Sequence, residues 1–179
     1  MAPLANKLTR DWPLDSFRRL AIMCAERLDA VVNLVGSGAQ RHSVNTVIRG
    51  LPADRYINRC GVLNWDETRD LIRGATCVVA NNSGVGHLAA ELGVPVVSVF
   101  GASHSPLEWM PRGGHVSVIV RHTGCSPCSL DTNDLAECPY DVRCLTDLDP
   151  AHVFEAMRRL IARAVTPPIA DRLLPGDIR

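Results

Sequence analysis

Small and polar residues between positions 81 and 87 form the segment best suited to hold a ligand. The run Asn-Asn-Ser-Gly-Val-Gly-His follows an apolar stretch and leads into a helical pattern. Ser83, Gly84 and Gly86 allow close approach to the backbone, and the first N–H groups of a helix attract anions. His87 lies one helical turn after Ser83, so its ring can face the same ligand. The segment therefore predicts a phosphate site. The simpler interpretation is a capped helix start with a hydrogen-bonded histidine.

Four of the seven cysteines form a second cluster with the spacing of metal ligands. Cys125, Cys128, Cys138 and Cys144 follow the pattern C-x2-C-x9-C-x5-C. Four thiolates at this spacing can close a tetrahedral site around zinc or a single iron. Free thiols and disulfides are the alternatives, and disulfides are disfavoured in a cytoplasmic protein. A zinc ribbon that reads nucleic acid is disfavoured too, because carboxylates outnumber basic residues around the cluster.

Alternating strand and helix patterns position both clusters. Strands are predicted at residues 31–35, 56–57, 76–80, 94–100 and 116–120. Helices are predicted at residues 15–28 with Asp15 or Ser16 as the cap, 39–49, 66–73, 84–92 and 150–164. This alternation favours a doubly wound α/β domain with a mostly parallel sheet. We predict one domain over residues 1–164, with a Cys-rich loop at 124–144, and a Pro-rich tail at 165–179.

Composition excludes several classes of protein. The chain has 179 residues, and its 19 basic residues balance its 19 acidic ones, so no net charge draws it to nucleic acid. The sequence shows neither a signal peptide nor an apolar run of about 20 residues, which predicts a cytoplasmic protein. Buried, reduced thiols are predicted at the three remaining cysteines, Cys24, Cys60 and Cys77.

The segment from Asn81 to Gly101 resembles the signature of glycosyltransferase family 9, the ADP-heptose:lipopolysaccharide heptosyltransferases. It reads N-N-S-G-V-G-H-L-A-A-E-L-G-V-P-V-V-S-V-F-G. The family has N-D-S-G or D-T-G, two residues, and then H-L-A-A-x-L-G-x-P-x-V-x-L-F-G. Upstream, R-D-W-P with Phe17 resembles the family's K-x-W-P-x-x-x-F entry, and V-G-S-G-A-Q resembles its G-S-x-x-E loop. The resemblance covers roughly residues 7–164.

The resemblance implies the Rossmann-like, nucleotide-sugar-binding C-terminal half of a two-domain GT-B enzyme that needs no catalytic metal. By position it assigns the donor diphosphate to five residues: Arg10 (in place of a lysine), Ser83, Gly84, Val85 and His87. Gln40 stands where the family has a Glu that grips the ribose, and Asn82 where an Asp contacts the sugar. Both changes replace a carboxylate by an amide, which predicts a weaker hold or a different donor.

The implied reaction is inverting transfer to a glycan or glycolipid acceptor of the cell envelope, with lipopolysaccharide as the family's acceptor. The catalytic base would lie on the first domain, so it has no counterpart in this chain. We expect no nucleic-acid partner, peripheral contact with the cytoplasmic membrane face, and self-association. The alternative is a non-catalytic module that binds a nucleotide or a partner, or an inactive fragment. A nucleobase pocket at Val62, Leu63 and Leu71 is a further candidate, although core packing is the simpler interpretation.

Overall fold

The computed structural model describes residues 1–126, 128 and 137–165. Its five strands are β1 (Val32–Leu34), β2 (Tyr56–Asn58), β3 (Val78–Asn81), β4 (Val96–Phe100) and β5 (Val116–Val120). Its α-helices are α1 (Leu14–Leu28), α2 (Arg41–Ile48), α3 (Trp65–Arg73), α4 (Gly84–Glu91), α5 (Pro106–Trp109), α6 (Arg143–Thr146) and α7 (Pro150–Val165). Single 3₁₀ turns cover Leu8–Arg10 and Gly38–Gln40.

The strands form two parallel groups, β1–β2 and β3–β4–β5. Met1 and Ala2 join them. Met1 N donates to Asn33 O at 2.6 Å and Val35 N donates to Met1 O at 2.9 Å, while Ala2 N donates to Val79 O at 2.9 Å. The spatial order is therefore β2, β1, residues 1–2, β3, β4, β5. This is the order of a doubly wound sheet, which confirms the predicted fold class.

Helices cover both faces of the sheet, as an all-parallel sheet requires. On one face, α1, α2 and α7 pack over a core that includes Phe17, Leu20 and Val97, all without solvent exposure. On the other face, α3 and α4 pack through Ile72 and Ala89 onto a smaller cluster. The helical periodicity predicted from the sequence arises from these two buried faces.

The element boundaries differ from the predictions in a few places. The first helix begins at Leu14, and its N-cap is Pro13. The prediction of a cap at Asp15 or Ser16 is therefore wrong, because the fixed φ of proline ends the extended segment directly before Leu14. Residues 38–40 form a 3₁₀ turn before α2 begins. Val165 belongs to α7, and the predicted tail beyond it lies outside the described residues. Within the described part of the chain, no helix is long and apolar enough to span a membrane.

Ser98, in the middle of β4, gives the first testable prediction. Its side chain has no solvent exposure, and its Oγ has no hydrogen-bond partner among the described residues. A buried hydroxyl without a partner costs roughly 1–3 kcal/mol of desolvation. We expect Ser98→Ala to leave the free energy of unfolding unchanged or to raise it by about 1 kcal/mol, as measured by urea titration. Leu20→Ala, the control, should lower it by about 2–5 kcal/mol. A loss of 2 kcal/mol or more in Ser98→Ala would show that the hydroxyl does have a partner.

Candidate functional site

The candidate site lies where the strand order reverses. The connections leaving residues 1–2 and β3 run to opposite faces of the sheet, and ligands of doubly wound folds bind at the carboxyl ends of such a strand pair. Two segments meet there. One is the N-terminal loop, defined as residues 3–12. The other is the turn from β3 into α4, which contains the motif at residues 81–87.

Asn81 joins these two segments. It ends β3 with no solvent exposure, and its Nδ2 donates to Pro3 O at 2.8 Å and to Asp11 Oδ1 at 3.4 Å. Its Oδ1 accepts from Trp12 N at 3.2 Å. One buried amide therefore holds both ends of the N-terminal loop against the end of β3.

Asp11 and Trp12 complete the anchorage. Asp11 Oδ1 also accepts from Ala5 N, which closes the N-terminal loop on itself. Burial raises the pKa of the Asp11 carboxyl above its usual value, against the opposing effects of the Ala5 N–H, the Arg10 charge and Asn81. Trp12 is fully buried, and its Nε1 donates to Leu148 O at 3.1 Å. These contacts fix the backbone on both sides of Arg10.

Three buried polar atoms at this edge of the sheet have no hydrogen-bond partner among the described residues: Arg10 Nε, Asn82 Nδ2 and Ser83 Oγ. Asn82 is only 5% exposed. Ser83 occupies the N-cap position of α4, yet its hydroxyl makes no capping hydrogen bond. Buried polar groups in folded proteins are usually paired. Three unpaired groups from two adjacent segments therefore indicate a place prepared for a polar ligand.

The first turn of α4 lies beside these atoms. Gly84 is exposed, and a Cβ added to it would meet no atom within 4 Å. Val85 is half-buried, and the His87 side chain is exposed on the helix surface. Helix-start N–H groups lack partners within the helix and carry its positive dipole end. The structure thus disfavours the interpretation of a capped helix start and leaves these donors available to an anion.

Gln40 lies in the turn that follows β1 and contacts the N-terminal loop. Its Oε1 accepts from Ser37 N at 2.9 Å in a capping box, and its Nε2 donates to Asn6 Oδ1 at 2.6 Å. The second bond links the turn after β1 to the N-terminal loop. Gln40 is therefore held by two residues of different segments.

The apolar residues proposed for a nucleobase pocket separate in the structure. Val62 is 53% exposed, whereas Leu71 packs partly buried against the smaller core cluster. Leu71 also lines a cavity of about 460 Å³ near the starts of β1 and β3, to which Val62 and Leu63 do not contribute. The core-packing interpretation is the better one for Leu71.

The four clustered cysteines line one small cavity of about 30 Å³ beside the N-terminal loop. Cys138 Sγ accepts from Val142 N at 3.3 Å, and Cys128 N donates to Ala102 O at 2.8 Å. Among the described residues, no group of three or more histidine, cysteine or acidic side chains is close enough together to hold a metal ion. The cluster thus brings the four thiols together without arranging them as a coordination sphere.

No disulfide joins any of the seven cysteines, so the disulfide alternative for the cluster is wrong, and three of the seven lie outside the cluster. Burial raises the pKa of Cys24 to about 11 and that of Cys77 to about 12, and it also raises the pKa of Cys60. These thiols are therefore protonated at neutral pH, which suits a packing role.

The sequence assigned no individual role to three residues of the site: Asn6, Asp11 and Asn81. Asn6 adopts a left-handed conformation with φ of 62°. Asparagine is enriched in that conformation, so the sequence held a weak signal for a turn there. Asp11 and Asn81 act through contacts between segments about 70 residues apart, which no local pattern reveals.

The chain is similar in sequence to heptosyltransferases of glycosyltransferase family 9. The family model described as glycosyltransferase family 9 (heptosyltransferase) matches residues 1–138. The lipooligosaccharide heptosyltransferase 2 of Haemophilus influenzae is 28% identical over 155 residues, which cover 85% of this chain and 43% of that protein. The lipopolysaccharide heptosyltransferase 1 of Pseudomonas aeruginosa is 33% identical over 97 residues, which cover 54% of this chain and 26% of that protein. The chain spans less than half the length of these relatives.

Solved structures share the fold. The ADP-heptose lipopolysaccharide heptosyltransferase II of E. coli aligns over 92% of this chain and 46% of its own, with a TM-score of 0.74 and 24% identity. The iron-containing dodecameric glycosyltransferase TibC of enterotoxigenic E. coli aligns over 92% of this chain and 45% of its own, with a TM-score of 0.66 and 20% identity.

Proposed function

The chain belongs to glycosyltransferase family 9, and on that premise we propose that it binds the nucleoside diphosphate of a nucleotide-sugar donor. The donor would be ADP-heptose or a close analogue, in keeping with the names of its relatives. The observation that carries the proposal is the set of unpaired buried atoms on Arg10, Asn82 and Ser83 beside the start of α4. The diphosphate and sugar of the donor supply the acceptor oxygens that these groups lack.

Each assigned residue has a place in this proposal. The N–H groups of Gly84 and Val85 at the start of α4 would bind phosphate oxygens, together with the Ser83 hydroxyl. The Arg10 guanidinium would neutralise charge from the N-terminal loop, and His87 would approach from the exposed helix surface. Asn82 would donate its free N–H to the sugar, and Gln40 would face the ribose.

The proposed chemistry is inverting glycosyl transfer. An acceptor hydroxyl would form a bond to the anomeric carbon as the bond to the β-phosphate oxygen breaks, and a base on the acceptor-binding domain would take the hydroxyl proton. Negative charge then develops on the departing diphosphate. Donors that are already oriented toward that charge stabilise the transition state more than the ground state. Arg10, Ser83 and the start of α4 would act in this way.

The acceptor side remains a proposal drawn from the relatives. Their names point to lipopolysaccharide, so we propose a glycolipid acceptor at the cytoplasmic face of the membrane, presented by an acceptor-binding domain. Self-association is proposed as well, because the related TibC is dodecameric.

The alternative is nucleotide binding without transfer. The amides at Gln40 and Asn82, where the family has carboxylates, favour it.

Nucleotide binding is tested by thermal unfolding in the presence of ADP, ADP-heptose, UDP-sugars or GDP-sugars. A ligand at about a hundred times its Kd stabilises by ~2.7 kcal/mol, which raises the Tm of a chain of this size by roughly 5–11 °C. We expect such a rise for one nucleotide class, and its loss in Ser83→Ala and His87→Ala. His42→Ala, which alters an exposed histidine of α2, is the control and should keep the shift. No shift with any nucleotide would overturn the proposal.

We also propose that the four clustered thiols hold a structural metal, either zinc or iron. The support is their shared cavity, the N–H···S bond to Cys138, and two successive non-glycine residues with positive φ, Asp141 and Val142. A β-branched residue such as Val142 in that conformation is strained, and strain persists where the surroundings fix it. The four thiolates would be the ligands of the metal. The metal would tie Cys125 and Cys128 to Cys138 and Cys144 and take no part in the transfer.

Metal content tests this assignment. Elemental analysis of protein purified without chelator should give one zinc or iron per chain, and Cys138→Ser should lower that ratio and the Tm. Cys60→Ser, which removes a thiol outside the cluster, should retain the metal. Protein without metal, in which all four clustered thiols react with a thiol reagent, would contradict the assignment.

A further inference from the structure

The cavity of about 460 Å³ near the starts of β1 and β3 lies within the sheet itself. Between these two strands stand Met1 and Ala2: Met1 O accepts from Val35 N at 2.9 Å, and Ala2 O accepts from Asn81 N at 3.4 Å. In the part of the chain that the structure describes, β1 otherwise pairs with β2, and β3 pairs with β4. The cavity therefore continues the line of residues 1–2 toward the starts of the two strands.

Backbone groups of both strands face this cavity. The carbonyls of Asn33 and Val79 accept hydrogen bonds from the nitrogens of residues 1–2, which lie between them. The N–H and C=O of one strand residue point to the same side, so the N–H groups of Asn33 and Val79 face the cavity too. Two residues earlier, the C=O groups of Val31 and Cys77 have the same direction. All four residues line the cavity, so each wall carries one donor and one acceptor.

These backbone groups lack a strand partner. Among the hydrogen bonds of the described residues, none joins β1 to β3 across the cavity. Buried N–H and C=O groups in folded proteins are nearly always paired. The gap extends over residues 31–33 on one side and residues 77–79 on the other. About three residues of extended chain would fill it and satisfy both walls.

The apolar walls come from helices on both faces of the sheet. Cys24, Met157 and Ile161 line the cavity from α1 and α7, and Leu71 lines it from α3. They belong to two separate apolar clusters, one on each face. The side chains of a strand alternate between the two faces, so one strand would contact both clusters. Among the described residues, Asp29 has the only charged side chain that lines the cavity, and it is exposed.

We infer that this cavity is a docking site for one extended, apolar segment of another polypeptide, which adds to the sheet as a parallel strand between β1 and β3. Strand addition supplies main-chain hydrogen bonds, and pockets for alternate side chains supply the selectivity. Valine and isoleucine suit a strand that is buried on both faces. The C-terminal end of the segment points toward Met1, because the strands of this sheet are parallel. The inference does not depend on the proposed nucleotide site.

Peptide binding in solution tests this inference. The probe is a fluorescein-labelled peptide, Lys-Lys-Val-Ile-Val-Ile, whose two lysines keep it soluble. We expect saturable binding by fluorescence anisotropy, together with at least tenfold slower amide hydrogen exchange at Asn33 and Val79. Two further peptides carry a single N-methyl group on the second or the third apolar residue. Both should bind at least tenfold more weakly, because a strand between two neighbours uses every N–H for one neighbour or the other.

Two tryptophan variants of α7 locate the binding. Ile161→Trp places an indole ring at the cavity wall and should abolish peptide binding. Arg163→Trp places the same ring at an exposed position of the helix, and it should bind the peptide as the wild type does. Circular dichroism shows whether both variants fold. If Ile161→Trp does not fold, the N-methylated peptides and the exchange at Asn33 and Val79 still decide the question.

Three results would overturn the inference. The first is no binding of the parent peptide. The second is equal affinity for the parent and the N-methylated peptides, which would indicate an apolar pocket without strand pairing. The third is slow exchange at Asn33 and Val79 without peptide, accompanied by a dimer in sedimentation, which would assign the cavity to a second copy of this chain. Binding that persists in a folded Ile161→Trp variant would place the peptide elsewhere and contradict the inference as well.

Discussion

Asn81→Leu is expected to lower the free energy of unfolding by about 3–5 kcal/mol. The substitution leaves Trp12 N–H and Pro3 C=O without partners in a buried setting, and each such loss costs roughly 1–3 kcal/mol. It also removes the contact with Asp11. The measurement is urea unfolding followed by circular dichroism, and the corresponding fall in Tm is roughly 6–20 °C.

The neighbouring asparagine provides the control for this prediction. Asn82 is also buried, but its Nδ2 has no partner among the described residues. Asn82→Ala should therefore cost at most about 1 kcal/mol. Equal losses in the two variants would contradict the view that Asn81 anchors the N-terminal loop while Asn82 is kept free for a ligand.

Arg10→Ala is expected to weaken ADP binding by roughly 30–100-fold. Hydrogen bonds to charged groups contribute roughly 1.5–3 kcal/mol, and about 1.4 kcal/mol corresponds to a tenfold change in Kd. The Arg10 guanidinium belongs to a loop whose backbone is fixed on both sides. Another cationic side chain therefore cannot move in to replace its charge. Titration calorimetry at low and moderate salt measures the effect, which should shrink as salt rises.

Two variants make this result interpretable. Arg10→Lys keeps the charge found in the family and should recover most of the affinity. Arg19→Ala removes an exposed arginine of α1 that pairs with Asp149, and it should leave the Kd unchanged. A loss in Arg19→Ala equal to that in Arg10→Ala would mean that net charge, rather than position, governs binding.

The sequence predicted the helices and strands whose buried residues recur at regular spacing along the chain. The helices α1, α4 and α7 and the strands β4 and β5 appear at or near the predicted positions because their apolar spacing follows the faces they bury. The turn from β3 into α4 was predicted because glycine and serine mark it directly.

The remaining features depend on tertiary contacts. Met1 and Ala2 have no strand pattern, yet they complete the sheet because β1 and β3 pair with them from both sides. The role of Asn81 depends on a loop 70 positions earlier in the chain, and the direction of the Gln40 amide depends on Ser37 N. Such partners are set by the fold, so residue type and spacing alone could not reveal them.

In the proposed function, the start of α4 and the N-terminal loop together hold a nucleoside diphosphate. Amide ¹H–¹⁵N spectra recorded during titration with ADP test it most directly. We predict that the largest shifts fall on Ser83, Gly84 and Val85 and on residues 8–12, with small shifts in α3 and α7. Spectra that do not change, or shifts confined to the cavity near the starts of β1 and β3, would contradict it.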